Sequence, residues 1–119
     1  MANINVSVEA RNDMSEISRY ITIELNSPVA AKNTLRKITK SIRNLQAFPD
    51  IGAPLASIID FPTDYRFLVC GNYLVFYCHE NSEVYIIRVL YGKRDYLKIL
   101  FSETVKDDSN PDEQSDSQD

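Results

Sequence analysis

Residues 65–91 contain three apolar segments, YRFLVC, YLVFYCH and VYIIRVLY, separated by Gly71-Asn72 and by the polar stretch ENSE. Each segment is dense in β-branched and aromatic side chains and too short for a buried helix, so each reads as a strand. Connections this short join strands in antiparallel fashion, and glycine at the first turn position suits a type II′ hairpin. Any fold open to this chain therefore contains an antiparallel meander in its second half.

The first half supplies elements that can cover such a sheet. NINVSV, residues 3–8, places Ile4, Val6 and Val8 on one side, the pattern of a short strand. Asp13 with Glu16 three residues on is a capping-box arrangement, and Met14, Ile17, Ile21 and Leu25 follow at helical spacing. Asn26 breaks the run, and Ser27-Pro28 restarts a helix in cap-then-proline order. In this second helix Leu35, Ile38, Ile42 and Leu45 form an apolar stripe, and Lys32, Arg36, Lys40 and Arg43 fall on another side. No acidic residue interrupts that basic ridge. It fits a solvated helix face, and it also fits contact with nucleic acid or an acidic partner.

Residues 48–64 are turn-rich, with LASIID as a brief strand, and KRDYLKILF after Gly92 has the pattern of a short helix. The order is strand, two helices, three or four strands, short helix. It predicts a two-layer α/β (α+β) domain, a helical hairpin packed on a largely antiparallel four- or five-stranded sheet.

Apolar residues stop almost completely after Phe101, and the charge divides there. Residues 1–101 carry 12 Lys/Arg against 10 Asp/Glu, whereas residues 102–119 carry seven acids against Lys106. The expectation is one domain over 1–101 and a disordered acidic tail over 102–119. The tail is a solubilising end on one reading, and a cover for cationic surface on another. No signal-peptide pattern is present, and no run approaches the roughly 20 apolar residues of a membrane span, so a cytoplasmic protein without membrane contact is expected. Cys70, Cys78 and the single His79 have no metal-ligand spacing, so neither metal nor cofactor is expected.

A two-residue loop at Gly71-Asn72 pairs Arg66 with Tyr77, Leu68 with Val75 and Cys70 with Tyr73. A loop at residues 80–83 pairs Tyr77 with Ile86, Val75 with Arg88 and Tyr73 with Leu90. Opposed residues share a face. One face then collects Arg66, Leu68, Cys70, Tyr73, Val75, Tyr77, Ile86, Arg88 and Leu90. The other collects Tyr65, Phe67, Val69, Leu74, Phe76, Cys78, Tyr85, Ile87, Val89 and Tyr91. The second is free of charge, and burying an unpaired arginine costs several kcal/mol, so it is expected under the helices. Arg66 and Arg88 would then share an open face with Tyr73 and Tyr77, beside Lys93 and Arg94. The arrangement fits a cationic and aromatic contact patch, and also arginines snorkelling from a half-open sheet.

SEISRYI, LVCGNYLVFY and RVLYGKRDY, in this order and spacing, resemble the RelE/ParE superfamily of bacterial toxin–antitoxin proteins, over nearly all of residues 3–101. The resemblance implies a plasmid-stabilisation or growth-inhibiting toxin of a type II module, with its first strand beside its last and an antitoxin encoded nearby. ParE-like members inhibit DNA gyrase; RelE-like members cut messenger RNA in the ribosomal A site with basic residues and a tyrosine or histidine. The RVLYGKRD ending is closer to the ParE-like branch. On that reading the working surface is the Arg88 to Tyr96 stretch supported by Arg66. With the tyrosines that the register places beside them, the target-binding residues are Arg66, Tyr73, Tyr77, Arg88, Lys93 and Arg94. The nuclease alternative would use Arg66, Arg94 and Tyr96, although Leu68 and Tyr73 stand where RelE-like nucleases carry basic residues. A non-toxic binding module of the same fold is the third alternative.

Overall fold

The computed structural model describes residues 1–60 and 62–101. Strand β1 (Asn3–Val6) leads into helix α1 (Val8–Arg19), which widens into a π-type turn at Tyr20–Glu24. Helix α2 (Pro28–Asn44) returns antiparallel to it. Strand β2 (Ala53–Pro54), β3 (Arg66–Cys70), β4 (Tyr73–Glu80) and β5 (Glu83–Tyr91) follow, and residues 96–101 form a last short helix. The sheet order is β1-β5-β4-β3-β2, with β1 parallel to β5 and all other neighbours antiparallel. This is the α+β architecture expected. The acidic tail falls on residues outside those described.

The start of α1 differs from the capping-box expectation. Ser7 is the N-cap: its hydroxyl accepts the Ala10 amide at 2.9 Å and donates to the Ile87 carbonyl at 2.9 Å. The helix thus begins directly off β1, and Asp13 is left inside it with other partners. Leu25, expected in the buried stripe, is exposed, because the π-type turn rotates it out of line. Asn26 takes a left-handed φ of 52°, which asparagine tolerates, and closes the hairpin. Ser27 caps α2 through the Ala30 amide at 3.2 Å, with Pro28 in the first turn as the sequence order predicts.

The Gly71-Asn72 turn has the expected register, and Gly71 sits at φ 61°. The next hairpin is tighter than expected, because Glu80 still pairs with Glu83 and the loop is Asn81-Ser82. Tyr77 pairs with Ile86 as expected, but a bulge at Ile87 then shifts the ladder by one residue. Val75 faces Val89 instead of Arg88, and Tyr73 faces Tyr91 instead of Leu90.

The two faces are also reversed. Val75, Tyr77, Val84, Ile86 and Val89, flanked by Leu68, Cys70 and Tyr73, pack against Ile17, Ile21, Ala31, Ile38, Ile42 and Leu45 of the helical layer. The face expected beneath the helices holds a second, smaller core instead. There Phe76 and Leu90 pack with Leu55, Phe67, Leu74, Tyr96, Ile99 and Leu100. The sheet is therefore covered on both sides, by the hairpin on one and by the 55–59 turn and the last helix on the other. The premise that an arginine-bearing face stays open failed because both arginines sit at the rim of the helix-side core and find partners there.

Candidate functional site

Arg88 reaches Asp13 of α1. Its Nε lies 2.7 Å from Asp13 Oδ2 and its Nη2 donates to Oδ1 at 2.8 Å, while the Val89 amide donates to Oδ2 at 2.9 Å. Asp13 is 10% exposed and Arg88 25%. The carboxylate beside it raises the Arg88 pKa further above its usual value. This two-pronged pair ties β5 to α1 through the Nε–Nη2 edge of the planar guanidinium.

Arg66 is held in a different place. Its Nη1 donates to the Gly52 carbonyl at 2.6 Å and to the Asp50 carbonyl at 3.2 Å, and its Nε lies 3.7 Å from Asp50 Oδ1. Tyr77 is fully buried, and its hydroxyl accepts the Gly52 amide at 2.9 Å. A side chain at Gly52 would meet the Tyr77 ring at 2.7 Å and the Phe67 carbonyl at 2.8 Å, so glycine is needed for this close approach. Burial pushes the Tyr77 hydroxyl pKa up, partly offset by the Gly52 amide and by Arg66.

His79 completes that corner. Its Nδ1 lies 3.0 Å from Asp50 Oδ1 and its Nε2 lies 2.7 Å from the Asn81 carbonyl. Both ring nitrogens face acceptors, so only the imidazolium donates at both, and the bond to Asp50 raises the pKa from 6.5. The sign is that of a group favouring its charged form when folded. Its contribution to stability is complete below about 6.5 and is lost as pH rises through the raised folded value. Because the chain has one histidine, its ring resonances report the titration directly. A midpoint above 6.5 is expected, falling back toward 6.5 in Asp50→Asn; equal midpoints in the two proteins would contradict this.

Lys93 and Arg94 occupy an exposed turn, tied by Gly92 N to the Asn72 carbonyl at 2.8 Å and Arg94 N to the Tyr91 carbonyl at 3.1 Å. Asp95 caps the last helix through the Lys98 amide at 3.3 Å. Half-exposed Tyr91 stands edge-on to Tyr73, with ring centroids 5.9 Å apart. Burial and then the neighbouring Tyr20 and Tyr91 raise the Tyr73 pKa. Tyr96 packs on Phe76 at 5.3 Å, within the smaller core. Lys32, Arg36, Lys40 and Arg43 line one exposed groove along α2.

The six residues expected to form one target-binding patch thus separate into three places. Arg66 and Tyr77 secure the 50–52 segment, Arg88 is paired beneath α1, and Tyr73, Lys93 and Arg94 lie toward the turn end of the sheet, beside Tyr91. Sequence reasoning missed Asp13 and Asp50 as arginine partners, because each lies far along the chain from its cation and neither spacing signals the pairing. Among the described residues no group of three or more His, Cys, Asp or Glu side chains could hold a metal ion, and no helix is long and apolar enough to cross a membrane.

Comparison with known proteins then settles the family. A model described as the ParE toxin of the type II toxin–antitoxin system, parDE, matches residues 4–96. The chain belongs to the ParE toxin family. Among solved structures, one described as "Chromosomal ParDE TA system from P. aeruginosa" matches with a TM-score of 0.64 and 19% sequence identity. The match covers 76% of this chain and 96% of that chain, and at such identity it speaks for the fold alone. The comparison with curated proteins gives no match. As a ParE-type toxin the protein has an antitoxin as its partner in a type II module. The matched span contains Arg66, Arg88, Lys93 and Arg94, together with the acids that hold the first two.

Proposed function

We propose that this ParE-type toxin arrests DNA gyrase by binding in the cytoplasm, and that the turn carrying Lys93 and Arg94 with Tyr91 and Tyr73 beside it is the contact surface. The observation that carries the reading is the dispersal of the cations. A nuclease needs its basic groups and its acid or base aimed at one phosphate. Here Arg66 is occupied by two carbonyls and Asp50, and Tyr96 is packed on Phe76. Arg94 stands apart on an exposed turn. A binding surface makes no such demand, and two adjacent exposed cations next to paired tyrosines suit it.

The test measures supercoiling of relaxed plasmid by purified gyrase in the presence of this protein. Inhibition is expected, weakened about tenfold or more in Lys93→Glu/Arg94→Glu, the size associated with losing central charged anchors. Unimpaired supercoiling, together with cleavage of messages on translating ribosomes that Arg66→Ala or Arg94→Ala reduces, would replace this reading with the RelE-like one.

A further inference from the structure

Helix α2 is electrically one-sided. It carries Lys32, Arg36, Lys37, Lys40 and Arg43 and no acidic residue. Among the described residues the ion pairs join Arg66 and His79 to Asp50 and Arg88 to Asp13, and none involves α2. Among the described residues, the one side-chain hydrogen bond made by these cations runs from Arg36 to Asn33, at 3.0 Å. Lys32, Arg36 and Lys40 repeat at four-residue spacing, an arrangement in which like charges repel along the helix. Four of the five cations border a groove of 570 Å³ whose remaining walls include half-buried Leu35 and exposed Thr39. Arg66 and Arg88 are paired with carboxylates; among the described residues the α2 cations are not.

We propose that this groove is the docking surface for the protein's own acidic segment, residues 107–113. That stretch, DDSNPDE, holds Asp107, Asp108, Asp112 and Glu113, four carboxylates for the four groove cations. The ridge from Lys32 to Arg43 spans about 17 Å at the helical rise. Seven extended residues cover roughly 20 Å. The geometry of departure suits it as well. Phe101, the last described residue, stacks on Tyr65 with centroids 5.8 Å apart, directly before β3. Helix α2 lies over the other face of the same strand, where Ser41 Oγ meets Cys70 Sγ at 3.6 Å. The segment therefore has to round the sheet edge formed by β3 and the two-residue β2, and the 18 residues beyond Phe101 extend to about 60 Å at most. Tethering places it at millimolar effective concentration near the groove, an advantage that a free nucleic acid or acidic protein does not share.

Zero-length carbodiimide coupling of the full chain at low salt, mapped by peptide mass spectrometry, tests the proposal. Expected are intramolecular amide links from Lys32 or Lys40 to carboxylates of 107–113. They should be lost near 1 M salt, where screening shortens to about 3 Å, and lost from Lys32 in Arg36→Glu/Lys40→Glu. Links confined to Lys93 or Lys98, which lie nearer the point of departure, would overturn it. So would links that prove intermolecular in a mixture of isotopically light and heavy protein, because a second copy would then be the occupant. A further arm uses a generic 20-base-pair duplex as probe. Neutralising the segment (Asp107→Asn, Asp108→Asn, Asp112→Asn, Glu113→Gln) should raise duplex affinity several-fold, and an unchanged affinity would count against the groove being covered. The outcome is separate from the identity of the cellular target.

Discussion

Asp13→Ala is expected to lower the unfolding free energy by about 3 kcal/mol and the thermal midpoint by roughly 12–24 °C for a domain of this size. Three donors converge on this one carboxylate: two from Arg88 and the backbone amide of Val89. Removing it leaves a guanidinium and an amide facing α1 without an acceptor, and that desolvation dominates the loss. Arg88 retains some solvent access at 25% exposure, which sets the expectation at the lower end for a buried pair. Asp13→Asn keeps an acceptor for Val89 while losing the charge, so an intermediate loss is expected. Asp13→Leu/Arg88→Met removes both charges, and should regain part of the stability lost in Asp13→Leu alone, since two apolar groups leave nothing unpaired. Denaturant unfolding followed by circular dichroism checks the series. A change under about 0.5 kcal/mol for Asp13→Ala would mark the pair as an ordinary surface ion pair.

The same pair shows where the sequence was legible and where it was not. The strands, the α2 cap at Ser27-Pro28 and the Gly71-Asn72 register follow from local chemistry: apolar period, proline position and a glycine needing positive φ. The choice of buried face does not. It was argued from the expense of hiding Arg66 and Arg88, a sound argument only if neither has a partner. Both partners lie far away in sequence, Asp13 in a helix and Asp50 in a turn, and only the fold brings them within reach. The Ile87 bulge was equally silent, since one extra residue in a uniformly apolar strand leaves no mark on its pattern. At the site, Lys93 and Arg94 were legible as an exposed turn, whereas Tyr77, placed in the contact patch by register alone, proved to be a buried acceptor for Gly52. Asp13 also looked like a helix cap because its spacing to Glu16 is that of a capping box; Ser7 holds the role through a bond to Ile87 that the sequence cannot display.

Phe76→Ala is expected to cost about 4 kcal/mol, the usual loss for truncating a fully buried phenylalanine. Its ring has no exposed surface and lies between Phe67, at 6.4 Å, and Tyr96, at 5.3 Å, with Leu55 and Leu90 in the same cluster. The sheet face it occupies lies away from the helical hairpin, so its burial depends on the 55–59 turn and on residues 96–101. That dependence separates two contributions. Tyr96→Ala should expose Phe76 and lose a part of the same stability, and the double variant should lose less than the two single losses combined, because the rings share one contact. Tyr96→Phe should be nearly neutral, since the packing resides in the ring. If Phe76→Ala cost under 1 kcal/mol while Ile38→Ala, on the hairpin side, cost the usual 2–5 kcal/mol, the outer face would be open to solvent and Tyr96 released from its packing. A tyrosine freed in that way would remove one obstacle to a nuclease site and leave the other, since Arg66 stays held by the Asp50 and Gly52 carbonyls. The stability of this small core therefore reports how firmly residues 96–101 are held on the outer face of the sheet.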